Sequence, residues 1–114
     1  MKTINILLVD DRDVIRDSLR VLLGKYSRIN IAQEAIDGEQ AVNLIKENPY
    51  QFDIVLMDIN LPKMNGMEAT RQIKKINSNV KIIAFSFHTS AGYIVDMIKS
   101  GVSGYVTKGE DAPT

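Results

Sequence analysis

The chain has 114 residues, 45% of them hydrophobic and 25% charged, with fourteen basic side chains against fourteen acidic ones. That length suits one domain with one core, and a net charge near zero gives no broad pull toward nucleic acid or an anionic membrane. Without cysteine, and with His88 as the sole histidine, disulfide scaffolds, thiol catalysis and Cys- or two-His zinc sites are excluded. In chain order, Ile4–Val9 is a short apolar run of strand length, too short for a signal-peptide core before it meets Asp10 and Asp11. Ile15, Leu19, Leu22 and Leu23 follow at helical spacing, a stripe expected to pack on the core. Ile29–Ala35 is more polar, through Asn30, Gln33 and Glu34, and suits an edge strand. Asp37-Gly38 with Gln40 opens a second helix with the stripe Ala41, Leu44, Ile45, and Asn48-Pro49 closes it. Ile54–Met57 is near-continuously apolar, as expected of a strand buried on both faces. Asn65-Gly66 with Glu68 opens a third helix with the stripe Ala69, Ile73, Ile76. Ile82–Phe85, the stripe Ile94, Met97, Ile98, a stop at Gly101 and the short run Gly104–Val106 complete the series.

The strand ends fall near Asp10, Ala35, Asp58, Ser86 and Val106, a regular βα rhythm. The expected fold is α/β: a doubly wound, five-stranded parallel sheet of flavodoxin-like order 2-1-3-4-5. After the fifth strand only Lys108-Gly-Glu-Asp-Ala-Pro-Thr114 remains. A last helix, which would cover the sheet face near the first one, is therefore expected to be missing, as in a fragment cut ahead of it. No apolar run approaches membrane-span length, so a cytoplasmic domain without membrane contact is expected.

In an open parallel sheet, ligands bind outside the carboxyl ends of the strands. The residues there are Asp10 and Asp11 after the first strand, Asp58 after the third, Ser86 after the fourth and Lys108 past the fifth. If the first and third strands are neighbours, three carboxylates converge, with a hydroxyl and an ammonium opposite. Such carboxylates repel one another and call for a cation. Hard oxygen donors suit Mg²⁺, which takes one or two carboxylates and a phosphate oxygen while keeping several waters. Taken singly, each residue has a plainer reading: Asp11 as the N-cap of the first helix, Asp58 as a turn residue before Leu61-Pro62, Ser86 and Lys108 as ordinary loop positions, Tyr105 as packing, His88 as a loop residue. Their joint occurrence at strand ends favours a phosphoryl site.

The segments Ile6-Leu-Leu-Val-Asp-Asp11, Ile54-Val-Leu-Met-Asp-Ile-Asn-Leu-Pro-Lys-Met-Asn-Gly66, Ile83-Ala-Phe-Ser86 and Gly104-Tyr-Val-Thr-Lys108 resemble, in order and spacing, the signature segments of response-regulator receiver domains of two-component signalling. Ala35-Ile-Asp-Gly-Glu-Gln-Ala41 and Gly101-Val-Ser-Gly-Tyr-Val-Thr-Lys108 resemble the LuxR/NarL-type transcription regulators. The resemblance implies a receiver domain over residues 1–114. Asp58 would be the phosphoacceptor for a sensor histidine kinase, and Mg²⁺ would be held by Asp10, Asp11, Asp58 and the backbone carbonyl of Asn60. It further implies that Lys108 and Ser86 contact the phosphoryl group, and that Ser86 and Tyr105 form a switch around the fourth helix and fifth strand. Homodimerisation and DNA binding through a separate helix-turn-helix output domain follow from the same resemblance. Two positions depart from the pattern: Gly109 stands where a cis-proline is common after the lysine, and the bulky Phe87 follows Ser86. Two rivals are a haloacid-dehalogenase-like phosphatase, to whose motif Asp11-Arg-Asp13-Val-Ile is a near miss, and a non-phosphorylated interaction module of the same fold.

Overall fold

The structure, a computed structural model, describes residues 2–86 and 91–107, apart from the side chains of residues 86, 91–94 and 107. Strands β1 (Ile4–Val9), β2 (Ile29–Ala35), β3 (Ile54–Asp58), β4 (Lys81–Ser86) and β5 (Gly104–Thr107) alternate with helices α1 (Asp13–Leu23), α2 (Gly38–Glu47), α3 (Gly66–Ile76) and α4 (Ala91–Ser100). The sheet runs β2-β1-β3-β4-β5, with every pairing parallel. This is the expected order, with the polar β2 at an edge. The third, fourth and fifth strands run slightly further than their expected runs, because β3 carries on through Asp58, β4 includes Lys81 and Ser86, and β5 reaches Thr107.

Alternation along the inner strands divides the sheet into two faces. Leu7, Val9, Val55, Met57, Ile82 and Ala84 point to one side, where Ala41, Val42 and Ile45 of α2, Ala69 and Ile73 of α3 and Met97 of α4 join them in one buried cluster. Ile6 and Leu8 are buried on the other side, toward α1. On that side the expected α1 stripe is only partly realised. Ile15, Leu19 and Leu23 are half-buried, Leu22 is 53% exposed, and no residue of the helix is fully buried. Among the described residues α1 alone flanks this face, so its outer side chains meet no second helix. The α4 stripe needs a similar correction. Met97 is buried, Ile98 is 60% exposed, and the side chain of Ile94 lies outside the described residues.

Local chemistry sets the helix ends as expected. Asp37 Oδ1 accepts from the Gln40 backbone N–H at 2.8 Å, and Gln40 Oε1 accepts from the Ile36 N–H at 2.7 Å, a near-reciprocal cap for α2. Asn65 Oδ1 accepts from the Glu68 N–H at 3.0 Å and starts α3. Asn48 caps the end of α2. Gly101, at φ +111°, ends α4 in a conformation that L side chains resist.

Candidate functional site

Sheet register brings the acidic residues together. Val9 of β1 lies opposite Met57 of β3, so the next residues, Asp10 and Asp58, emerge side by side at the carboxyl edge. Both are buried, at 0% and 1% exposure, while Asp11 is exposed. One carboxylate oxygen from each of Asp10, Asp11 and Asp58 lies within 4.8 Å of the others. Burying charge here is costly unless it is compensated, and the backbone around it is held from several sides. The Asp10 N–H donates to Ala35 O at 3.1 Å, and Arg16 Nη1 donates to Asp10 O at 2.7 Å.

Asp58 is fixed by the loop that follows it. Its Oδ1 accepts from the Asn60 backbone N–H at 3.0 Å, which turns the chain back over the strand end, while Ile59 and Leu61 bury their side chains at 1% and 8% exposure. The loop closes where the Gly66 N–H donates to Ile59 O at 3.0 Å. A Cβ at Gly66 would stand 2.5 Å from Asp58 O and 2.8 Å from Ile59 Cα. Both atoms are backbone and have no room to yield, so only glycine lets α3 begin against Asp58. The spacing from Asp58 to Gly66 is thus a packing requirement of the site.

Arg12 meets the carboxylates. Its backbone N–H and Nε donate to Asp10 Oδ1 at 2.8 and 3.2 Å, and Nη2 donates to Asp10 Oδ2 at 3.1 Å. The same Nη2 lies 3.8 Å from Asp58 Oδ2. The hydrogen bond with Asp10 outweighs desolvation and, with the fields of Asp10, Asp58 and Asp11, raises the guanidinium above its ordinary value. Arg12 is therefore a permanent positive charge within the triad. Arg12 is also the N-cap residue of α1, without a side-chain cap bond, so Asp11 is not the helix cap that a plainer reading made it.

Of the other expected site residues, Asn60 sits beside Asp58 through its backbone. Ser86 ends β4 opposite Thr107, one position beyond Phe85, which pairs with Asp58; its side chain lies outside the described residues. Tyr105 is on β5 opposite Ala84 and 37% exposed. Lys108, with Phe87, His88 and Gly109, lies outside the described residues. Sequence reasoning missed Arg12 and Arg16. The only signal for Arg12 was an arginine directly after an acidic pair; that it folds back onto Asp10 depends on its extended backbone, φ −102° and ψ 119°.

Three hard carboxylates within reach of one ion, two of them buried, fit Mg²⁺ by donor type and number. Among the described residues, one arginine against three carboxylates leaves negative charge that a divalent cation would balance.

The family model for the response regulator receiver domain matches residues 6–114. The chain belongs to that family. This receiver domain is 37% identical over 109 residues to the transcriptional regulatory protein DegU of Brevibacillus brevis, covering 96% of this chain and 45% of that protein. It is 39% identical over 106 residues to the response regulator UvrY of Escherichia coli, covering 93% and 48%. The chain thus spans about half the length of the curated relatives it matches. Among solved structures it resembles a LuxR-family two-component response regulator from Aurantimonas sp., at 35% identity and a TM-score of 0.88 over 96% of this chain and 77% of that one. It also resembles a complex of CheX and CheY with BeF3 and Mg²⁺ from Borrelia burgdorferi, at 29% identity and a TM-score of 0.85 over 96% and 81%. These relatives place the receiver domain with the LuxR/NarL-type regulators. They support neither the phosphatase reading nor that of a non-phosphorylated module. No helix among the described residues is long and apolar enough to cross a membrane.

Proposed function

We propose that this receiver domain takes a phosphoryl group from a phosphohistidine of a sensor histidine kinase onto Asp58, and that the acyl phosphate switches an output, transcription in the first instance. The observation that carries the reading is the buried Asp58 carboxylate standing with Asp10 and Asp11 at the carboxyl edge of the sheet. A carboxylate oxygen of Asp58 attacks phosphorus in line; the P–N bond breaks, its electron pair stays on the imidazole, and a P–O bond forms. Such transfer depends on positioning and on charge stabilisation of the equatorial oxygens. Asp58 is positioned by the Asn60 N–H and by the close approach of Gly66. Asp10, Asp11, Asp58 and the carbonyl of Asn60 are the residues that would hold Mg²⁺, which when bound supplies charge neutralisation to nucleophile and phosphoryl oxygens alike. Lys108 pairs with the phosphoryl group and Ser86 hydrogen-bonds to it.

The added group carries roughly −1.5 to −2 charges, as ordinary phosphoresidues do. Ser86 and Tyr105 couple that charge to the surface of α4 and β5 by shifting a two-state population. The protein is not a turnover enzyme in this reading; its chemistry is self-phosphorylation from a donor and autodephosphorylation, both dependent on Mg²⁺. Residues 1–114 act as the receiver unit, in the cytoplasm and with a homodimer as its signalling form, and DNA is reached through a separate output domain. Intact-mass spectrometry with acetyl phosphate tests the reading. The expected result is one phosphoryl group on the wild type in Mg²⁺, with none in EDTA and none on Asp58→Asn. Equal labelling of both proteins would move the acceptor elsewhere.

A further inference from the structure

We propose that Arg12 is a resident counter-cation of the acidic site, which Mg²⁺ must displace before the domain can accept a phosphoryl group. The inference rests on the reading of the triad as the Mg²⁺ site and concerns how that site is gated. Three observations converge on it. Arg12 takes both oxygens of Asp10, Nε on Oδ1 at 3.2 Å and Nη2 on Oδ2 at 3.1 Å, and Nη2 extends toward Asp58 Oδ2 at 3.8 Å. Those are the carboxylates a metal ion would need, so guanidinium and metal draw on the same donors. The bond set is two-toothed on Asp10, the arrangement in which arginine holds a carboxylate well. Lastly, the Arg12 side chain is 38% exposed while its partners are at 0% and 2%. The acids are walled in and the arginine has a solvent side, so the arginine is the part that can leave.

Displacement has a definite cost and a definite effect. With Arg12 in place, only the fraction of molecules in which it has swung out accepts the metal, and apparent affinity falls by that fraction. The same contact steadies the metal-free site, because it offsets part of the repulsion among three carboxylates gathered at one edge. One residue is thereby expected to act in opposite directions on the two states: it stabilises the metal-free protein and weakens metal binding. A residue that merely packs would destabilise both states, and a remote charge would act through its field alone.

The test is Mg²⁺ titration by isothermal calorimetry, with thermal melts in EDTA and in saturating Mg²⁺, on wild type, Arg12→Gln and Arg20→Gln. Arg20 lies two turns further along α1 and pairs with Glu34 and Asp17, so its loss removes the same charge without touching the triad. Arg12→Gln is expected to bind Mg²⁺ roughly tenfold more tightly, a coupling of ordinary size, and to melt lower than wild type in EDTA with the difference closing in Mg²⁺. Arg20→Gln is expected to leave affinity within about twofold. Arg12→Lys, which keeps the charge but not the two-toothed grip, is expected to fall between wild type and Arg12→Gln, and it supplies the comparison should the glutamine variant not fold. Equal or weaker Mg²⁺ binding by both Arg12 variants would overturn the inference and leave the Mg²⁺ site standing. So would an equal gain in Arg20→Gln. Absence of Mg²⁺ binding in wild type and variants alike would overturn the site reading itself, and the inference with it.

Discussion

The two faces of the sheet are built on different principles. On one face α2, α3 and α4 bury a continuous apolar cluster that includes Ile45, Ile73 and Met97 at 0% exposure. On the other, α1 has no fully buried residue and leaves Val14, Val21 and Leu22 exposed. Beside the half-buried Ile15, Leu19 and Leu23, it carries a set of ion pairs. Arg16, with a side chain only 13% exposed, pairs with Glu34 at 3.0 Å and with Asp13 and donates to Asp10 O, while Arg20 pairs with Glu34 at 3.1 Å and with Asp17. The exposed Arg20–Asp17 pair contributes little, while the Arg16–Glu34 pair is part-buried. The lesson concerns the division of labour at the carboxyl edge. Asp58 rides on β3, whose following loop and helix are locked into the dense cluster, whereas Arg12 and Arg16 come from the lightly packed side. Asp58 is thus flanked by fully buried side chains, and Arg12 by a helix that has none.

The contrast can be broken by mutation. Ile73→Ala on α3 is expected to cost about 2–5 kcal/mol, since a fully buried side chain is replaced by a cavity in a well-packed cluster. A urea titration reads this directly, and a loss below about 1 kcal/mol would mean that the cluster collapses to fill the gap and is not tightly packed. A smaller effect is expected at the acidic edge. Asp11→Asn removes one of three like charges from an exposed position, so the melting temperature in EDTA is expected to stay level or rise while Mg²⁺ binding is lost. A clear drop in EDTA would mean that the Asp11 charge stabilises the metal-free protein, through Arg12 or the dipole of α1, by more than it repels Asp10 and Asp58. The smallest effect belongs to α1: Val21→Ala, at a side chain 68% exposed, is expected to change stability by no more than about 0.5 kcal/mol. A loss comparable to that of Ile73→Ala would show that the α1 face is covered in solution.

Much of this was legible in the chain itself. Continuous apolar runs at β1, β3 and β4 announced strands buried on both faces, and the more polar Ile29–Ala35 announced an edge. The carboxylates were legible because the winding rule places strand ends at one edge, and the register of Val9 against Met57 then brings Asp10 and Asp58 together. Less legible was which stripe residues are covered, because that depends on neighbours rather than on spacing. Leu22 and Ile98 keep perfect helical periodicity and still face outward. Arg12 was hidden for a different reason: its role depends on one extended backbone position between strand and helix, which composition and periodicity do not report.

The central claim is that Asp58, and no other carboxylate in the triad, receives the phosphoryl group. The most direct measurement is to phosphorylate the protein with acetyl phosphate in Mg²⁺, reduce it with borohydride, which converts an aspartyl phosphate to homoserine, and map the peptides by mass spectrometry. The account predicts homoserine at position 58 alone. Homoserine at position 10 or 11, or a reduced protein still carrying aspartate at all three positions after demonstrated labelling, would contradict it.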